Sequence, residues 1–176
     1  AFYGVGKGLE SLWRSVKGCN TPEVENGVLI SSAETDSNFK QLNSELSLNN
    51  RQKRILELLD NPGDTALVRK KSVSMNDLRQ LTNVTGDEFN MFTRGGRRLI
   101  IRGRGNRIRV SEEMYNDILN GLYGKFSGHT HPGYSLNPGP ADEPFLKILG
   151  QKRSSIWGNT GEGWLPFGQG YWETQA

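Results

Sequence analysis

The sequence predicts a mixed α+β domain over residues 50–176, and three observations predict it. Apolar residues recur at helical spacing in three short segments between residues 50 and 92. Residues 97–110 then switch to a two-residue alternation, the period of a half-buried strand. From 111 to 167 helical and extended patterns take turns, so the order reads helices, β-hairpin, α, β, α, β, β.

Taken in order, residues 1–49 read as a leader or the remnant of an entry domain. Leu9, Leu12, Trp13 and Val16 suggest an amphipathic helix around 8–17, followed by a linker rich in Asn, Ser, Thr and Glu. Ile55, Leu56, Leu58 and Leu59 predict a helix of about 50–60, stopped by Asn61-Pro62-Gly63. Ser74 with Asp77 forms a capping-box pattern that opens a helix to about 82. Thr85 with Glu88 repeats the pattern and predicts a third short helix holding Phe89 and Phe92. Strands over 97–102 and 107–110, joined by Gly103-Arg104-Gly105-Asn106, form the hairpin. A helix of about 111–121 turns Met114, Ile118 and Leu119 inward. Residues 122–127 lead as a strand into the histidines, a helix covers 141–149, and strands cover 154–157 and 164–167.

Charge is unevenly placed. The net is +3, yet Arg94, Arg97, Arg98, Arg102, Arg104, Arg107 and Arg109 form a run of seven without an acid; removing them from +3 leaves −4 for the rest. A cationic surface on a slightly acidic body fits a polyanionic partner, and arginine suits bidentate phosphate contacts. Cys19 is the one cysteine, which excludes an internal disulfide and a multi-cysteine zinc site. No run of about eighteen apolar residues occurs, so no membrane span is expected.

The chemistry concentrates in Ser127-Gly128-His129-Thr130-His131-Pro132-Gly133, which holds both histidines. In an extended segment, residues two apart share a face, so the imidazoles stand side by side. Two such groups can serve as general base and general acid in a metal-free ribonuclease, or bind zinc through neutral nitrogens. Asp142 can orient a histidine, bind metal or cap the helix after it. Thr130 points to the opposite face of a regular strand. Ser154, with Ser155, could donate to a phosphate, and Thr93, Arg94, Arg97 and Arg98 are candidates to hold one. Trp157, Trp164, Phe167, Tyr171 and Trp172 could stack on bases, although core packing accounts better for the first three.

The ordered blocks Phe92–Gly103, Gly128–Gly133, Asp142 and Gly150–Ile156, over about residues 86–167, resemble the C-terminal toxin module of bacterial polymorphic toxins. Such modules ride on contact-dependent inhibition proteins of the CdiA type, on Rhs proteins and on phage-derived carriers. The resemblance implies a domain exported on a larger cell-surface protein and acting in a target cell's cytoplasm. It further implies tRNA as substrate, elongation factor Tu as a helper in some members, and a cognate immunity protein. On this reading His129 and His131 are catalytic, Asp142 tunes them, and no cofactor is needed. The same His-x-His-Pro followed by an aspartate also resembles the JAMM metalloproteases, whose two histidines and aspartate bind zinc. Those enzymes carry a serine three residues before the aspartate, where this chain has Gly139. They also carry a strand-borne glutamate, whereas Glu88 is assigned here to a helix cap. A winged-helix nucleic-acid-binding module is the non-enzymatic alternative, with three helices over 50–92 and the arginine hairpin as a wing.

Overall fold

Asn49 starts the first helix through a reciprocal cap: its side chain accepts from the Gln52 N–H at 3.0 Å, and its own N–H donates to Gln52 Oε1 at 3.1 Å. The computed structural model describes residues 2–4, 47–133, 135–159 and 163–171. The expected helix of 8–17, most of the leader, Cys19 and Trp172 lie outside the described residues. Helix α1 spans Asn50–Leu58 and α2 spans Met75–Thr85, the latter opened by Ser74 and Asp77 as the capping pattern predicts. Helices α3 (Glu112–Leu119) and α4 (Asp142–Ile148) complete the α-helices among the described residues, and a 3-10 turn spans Lys70–Ser72. Tyr115 and Ile118 are the buried residues of α3, while Leu119 faces outward, contrary to the expected register.

The α+β expectation holds. Strand β1 (Phe2–Gly4) pairs in parallel with β5 (Ile108–Val110) as a separate two-stranded sheet. The main sheet runs β2 (Thr65–Arg69), β4 (Arg97–Arg102), β3 (Phe89–Arg94), β6 (Lys125–Thr130), β7 (Arg153–Trp157) and β8 (Trp164–Gly168). Its neighbours are antiparallel except β6 and β7, which run parallel with α4 in the crossover between them.

Two expectations change. The third helix does not form: Gly86, at φ 72°, ends α2, and residues 89–94 become a strand. Phe89 and Met91 pack on one face of the sheet and Phe92 on the other, so a run buried on both sides lacks the alternation that marks a surface strand. Without that helix the winged-helix order is lost. The expected hairpin also opens out. Strand β4 lies between β2 and β3, while β5 joins β1, and only an isolated Arg104–Arg107 bridge closes the turn between β4 and β5.

The sheet therefore separates two cores. One face holds Leu99, Ile101, Phe92, Phe126, Phe145, Leu146, Ile156 and Phe167; the other holds Leu59, Leu78, Leu81, Phe89, Met91 and Ile100. Full burial of each such side chain contributes roughly 1.5–3 kcal/mol. The candidate site opens on the phenylalanine-rich face.

Candidate active site

Strand β6 carries the site because it is irregular. Its pairing with β3 runs Asn90↔His129 and Met91↔Gly128, then skips to Phe92↔Phe126, leaving Ser127 as an extra residue. The bulge puts Phe126 and His129, three apart in sequence, on the same face, where their rings stack at 5.7 Å and 8°. Phe167 meets the His129 ring edge-on at 5.8 Å. Gly128 is required at the bulge: at φ 155° an added Cβ would lie 2.5 Å from Ser155 Oγ and 2.7 Å from Ser155 O. His129 is wholly buried, held between two phenylalanines and out of water.

Four polar groups converge there. The Nε2 atoms of His129 and His131 stand 2.9 Å apart. Asp142 Oδ2 is 3.3 Å from the first and 3.9 Å from the second. Glu88 Oε1 lies 4.0 Å from His129 Nε2. Asp142 is placed by the start of α4 and by the Gly139 N–H, which donates to its Oδ2 at 2.6 Å. His131 Nδ1 donates to the Ser135 carbonyl at 3.0 Å, which fixes the tautomer that leaves a lone pair on Nε2.

Burial alone would raise the Asp142 carboxyl, but the neighbouring His129 and the hydrogen bonds it accepts bring it down to about 2. Burial, with His129 beside it, lowers His131 to about 4, so its imidazole is neutral at pH 7. Burial raises Glu88 above the ordinary carboxylate range, with His129 opposing. A neutral imidazole beside an ionised carboxylate is the protonation state that a metal ligand set needs. The His129, His131 and Asp142 donor atoms all lie within 4.8 Å of one another. With zinc–nitrogen and zinc–oxygen bonds of about 2.0–2.2 Å, tetrahedral ligand atoms stand roughly 3.4 Å apart. The observed edges of 2.9, 3.3 and 3.9 Å bracket that value, so the triangle fits a zinc ion with movements of about half an ångström.

Comparison with protein-family models, with curated proteins and with solved structures returned no match. The site thus rests on its own geometry.

The structure brings His129, His131 and Asp142 together and sends the other candidates elsewhere. Thr130 is buried on the opposite face, where its Oγ1 bonds Thr82 Oγ1 at 2.5 Å and accepts from the Phe89 N–H at 2.8 Å. Its work is to dock α2, and substrate does not reach it. Thr93 also faces away and bonds Ser127 Oγ at 2.7 Å. Ser154 donates to the Phe126 carbonyl at 3.1 Å, a bond that joins β7 to β6 rather than meeting a ligand.

Arg94, Arg97 and Arg98 sit at the far end of β3 and β4, three or four residues from the level of the Asn90–His129 pair, about 10–13 Å at ~3.3 Å per residue. Arg94 donates to the carbonyls of Gly121 and Leu122, and Arg98 to that of Val73. Arg94 and Arg98 thus tie down that edge, Arg97 is exposed there, and all three are too far away to hold a phosphate at the histidines. Trp164 stacks on Trp157 at 5.8 Å and is 42% exposed, so it is no core residue.

Sequence reasoning missed Glu88, whose side chain is fully buried against the histidines. A strand reading of Phe89-Asn90-Met91-Phe92 would have found it, since Glu88, Asn90 and Phe92 then share one face with His129.

Proposed function

We propose that this domain is a metal-dependent hydrolase, with a divalent cation held by His129, His131 and Asp142 and with Glu88 as the proton-carrying carboxylate. The observation that carries the reading is the convergence of three donor atoms within 4.8 Å, with a buried glutamate beside them. Two imidazole nitrogens and one carboxylate, with a fourth position left to solvent or substrate, form a ligand set typical of catalytic zinc. A zinc ion bound there would supply Lewis-acid polarisation of a substrate carbonyl, a task for which Gly139 offers no hydroxyl and an N–H already given to Asp142. Glu88 accepts at Oε1 the proton released as water attacks and returns it to the leaving group. Its burial makes it a stronger base than an exposed glutamate. Phe126 and Phe167 hold His129 in place and exclude water around it. The JAMM resemblance favours an amide as the bond class, and the polymorphic-toxin resemblance supports a reaction in a target cell's cytoplasm, opposed by an immunity protein.

The metal-free tRNA ribonuclease is the second reading, supported by the exposed Arg104, Arg107 and Arg109 at the Glu88 end of the sheet. It needs each histidine to reach a different atom of one substrate. The two Nε2 atoms face each other at 2.9 Å, which leaves no space for a substrate between them.

Metal analysis of the purified full chain tests the choice. One zinc per chain, lost in His129→Ala and Asp142→Asn, is expected, with activity that EDTA removes and zinc restores. RNA cleavage that persists in EDTA overturns the metal-dependent reading and restores the ribonuclease. Brief expression in bacteria, followed by gels of total RNA and total protein, reports which polymer is cut. Among the described residues no helix is long and apolar enough to cross a membrane.

A further inference from the structure

The turn between β4 and β5 is built more firmly than a surface loop requires. Gly103 N–H donates to the Glu88 carbonyl at 2.7 Å, and the Glu88 N–H donates to the Gly105 carbonyl at 2.7 Å. The Asp87 carboxylate accepts from Gly105 N–H at 2.7 Å and from Arg102 Nε at 2.8 Å. Gly103 lets the two limbs touch, because a Cβ there would lie 2.4 Å from Arg107 O and 2.8 Å from Ile108 Cδ1. The main chain of the residue that supplies the buried carboxylate thus clamps the arginine turn.

On this turn Arg104, Arg107 and Arg109, with Pro62, Gly63 and Gly103, line a cleft of about 390 Å³. The three arginines are exposed, and none forms an ion pair among the described residues. Among the described residues no acid lines the cleft. Asp87 is committed to Arg102 and Gly105, and in the neighbouring loop Asp64 accepts from the Asn61 N–H. The N–H groups of Gly63 and Gly103 are used by the carbonyls of Arg102 and Glu88. The donors that face the space are therefore guanidinium groups, three like charges around one opening on a rigid mount. That arrangement costs repulsion unless an anion fills it. One carboxylate neutralises a single guanidinium, whereas a phosphate offers several acceptor oxygens and matches the arginine fork.

We infer that this cleft is a phosphate-binding site, for the phosphate group of a nucleotide or of a nucleic-acid strand. The volume suits one phosphorylated group with its immediate attachment. Binding itself does not depend on the hydrolase reading. The inference that the phosphate-bearing part of a substrate lies beside the reacting bond does, because Glu88 links the two places.

Binding is measured on the full chain stripped of metal, so a failure of catalysis leaves the result untouched. The probes are inorganic phosphate by calorimetry and a fluorescent single-stranded oligoribonucleotide by anisotropy, with polyglutamate as the carboxylate control. Arg104→Gln/Arg107→Gln/Arg109→Gln is expected to weaken binding about 100-fold and to lower the salt slope by about three. Arg69→Gln/Lys70→Gln/Lys71→Gln, at the opposite end of β2, is expected to stay within about 3-fold. Competition by inorganic phosphate identifies a single-phosphate ligand, and oligonucleotide binding without such competition identifies a strand; either supports the site. Equal losses in the two triple variants, polyglutamate binding as tight as the oligonucleotide, or no binding of either phosphate probe overturns it. Arg107→Gln alone, checked by circular dichroism, gives the same comparison if the first triple variant does not fold.

Discussion

Two corners of this molecule bury carboxylates, and they treat Asp77 in the one and Glu88 in the other in opposite ways. At the junction of α1 and α2, Asp77 has a side chain 1% exposed, yet every neighbour answers it. Ser74 N–H and Oγ donate at 2.8 and 2.6 Å, Arg51 at 2.7 Å and Gln52 at 3.3 Å. Burial works against the charge there, and these donors outweigh it, so the carboxyl lies below its ordinary value of 3.8. At the histidine corner, Asp142 faces two imidazoles and Glu88 is carried above its usual range. Among the described residues, His129 Nδ1 and both polar atoms of the Asn90 side chain find no hydrogen-bond partner. The first corner spends its polar groups on holding a helix, while the second keeps polar groups available at a cost to stability. Burial of a carboxylate alone does not mark a site; the partners left unfilled around it do.

The largest effect that would break this contrast is expected at Glu88. Glu88→Gln should lower hydrolysis by about 10²–10⁴-fold while zinc content and melting temperature are retained. Equal loss of activity and zinc would make Glu88 another structural acid like Asp77. Gly128→Ala should come next, destabilising by about 1–3 kcal/mol through strain at its positive φ and the contact with Ser155, read by denaturant unfolding.

Asp77→Asn should cost about 1–3 kcal/mol near pH 7 without reducing specific activity. Because its folded carboxyl lies below the unfolded value of 3.8, its stabilisation is full above that pH and fades as pH falls through the folded value. The gap in melting temperature between wild type and Asp77→Asn should therefore close under acid; a gap that widens would reverse the sign of the argument. The smallest effect belongs to Arg97→Ala, an exposed residue at the far end of β4. Activity and stability should both stay close to wild type, within about 0.5 kcal/mol, in assays run side by side.

The readable parts of the fold were those set by local chemistry. Ser74 and Asp77 announce α2 because the cap is formed by residues three apart, and His129 and His131 announce a shared face because a strand alternates. The unreadable parts depend on what packs against what. Thr85 and Glu88 imitate the cap that Ser74 and Asp77 really make, so the buried glutamate was assigned to a helix that Gly86 prevents. Strand β2 alternates in burial, but exposed Leu67 sits between Ala66 and Val68, so the sequence shows no polar–apolar period there. Seven arginines reveal a charge but not its address. Arg94, Arg97 and Arg98 lie at one end of the sheet, and the Glu88 end carries Arg104, Arg107 and Arg109.

The unpaired Ser127 makes register, as well as residue identity, a condition of the site. Deleting it would let β6 alternate regularly beside β3 with Phe126 and His129 two apart and still on one face. Drawing it into the ladder instead would turn Phe126 to the Thr82 side and strip the His129 ring of its stacking partner. Every ligand type would still be present in such a strand, but the wall behind them would be gone.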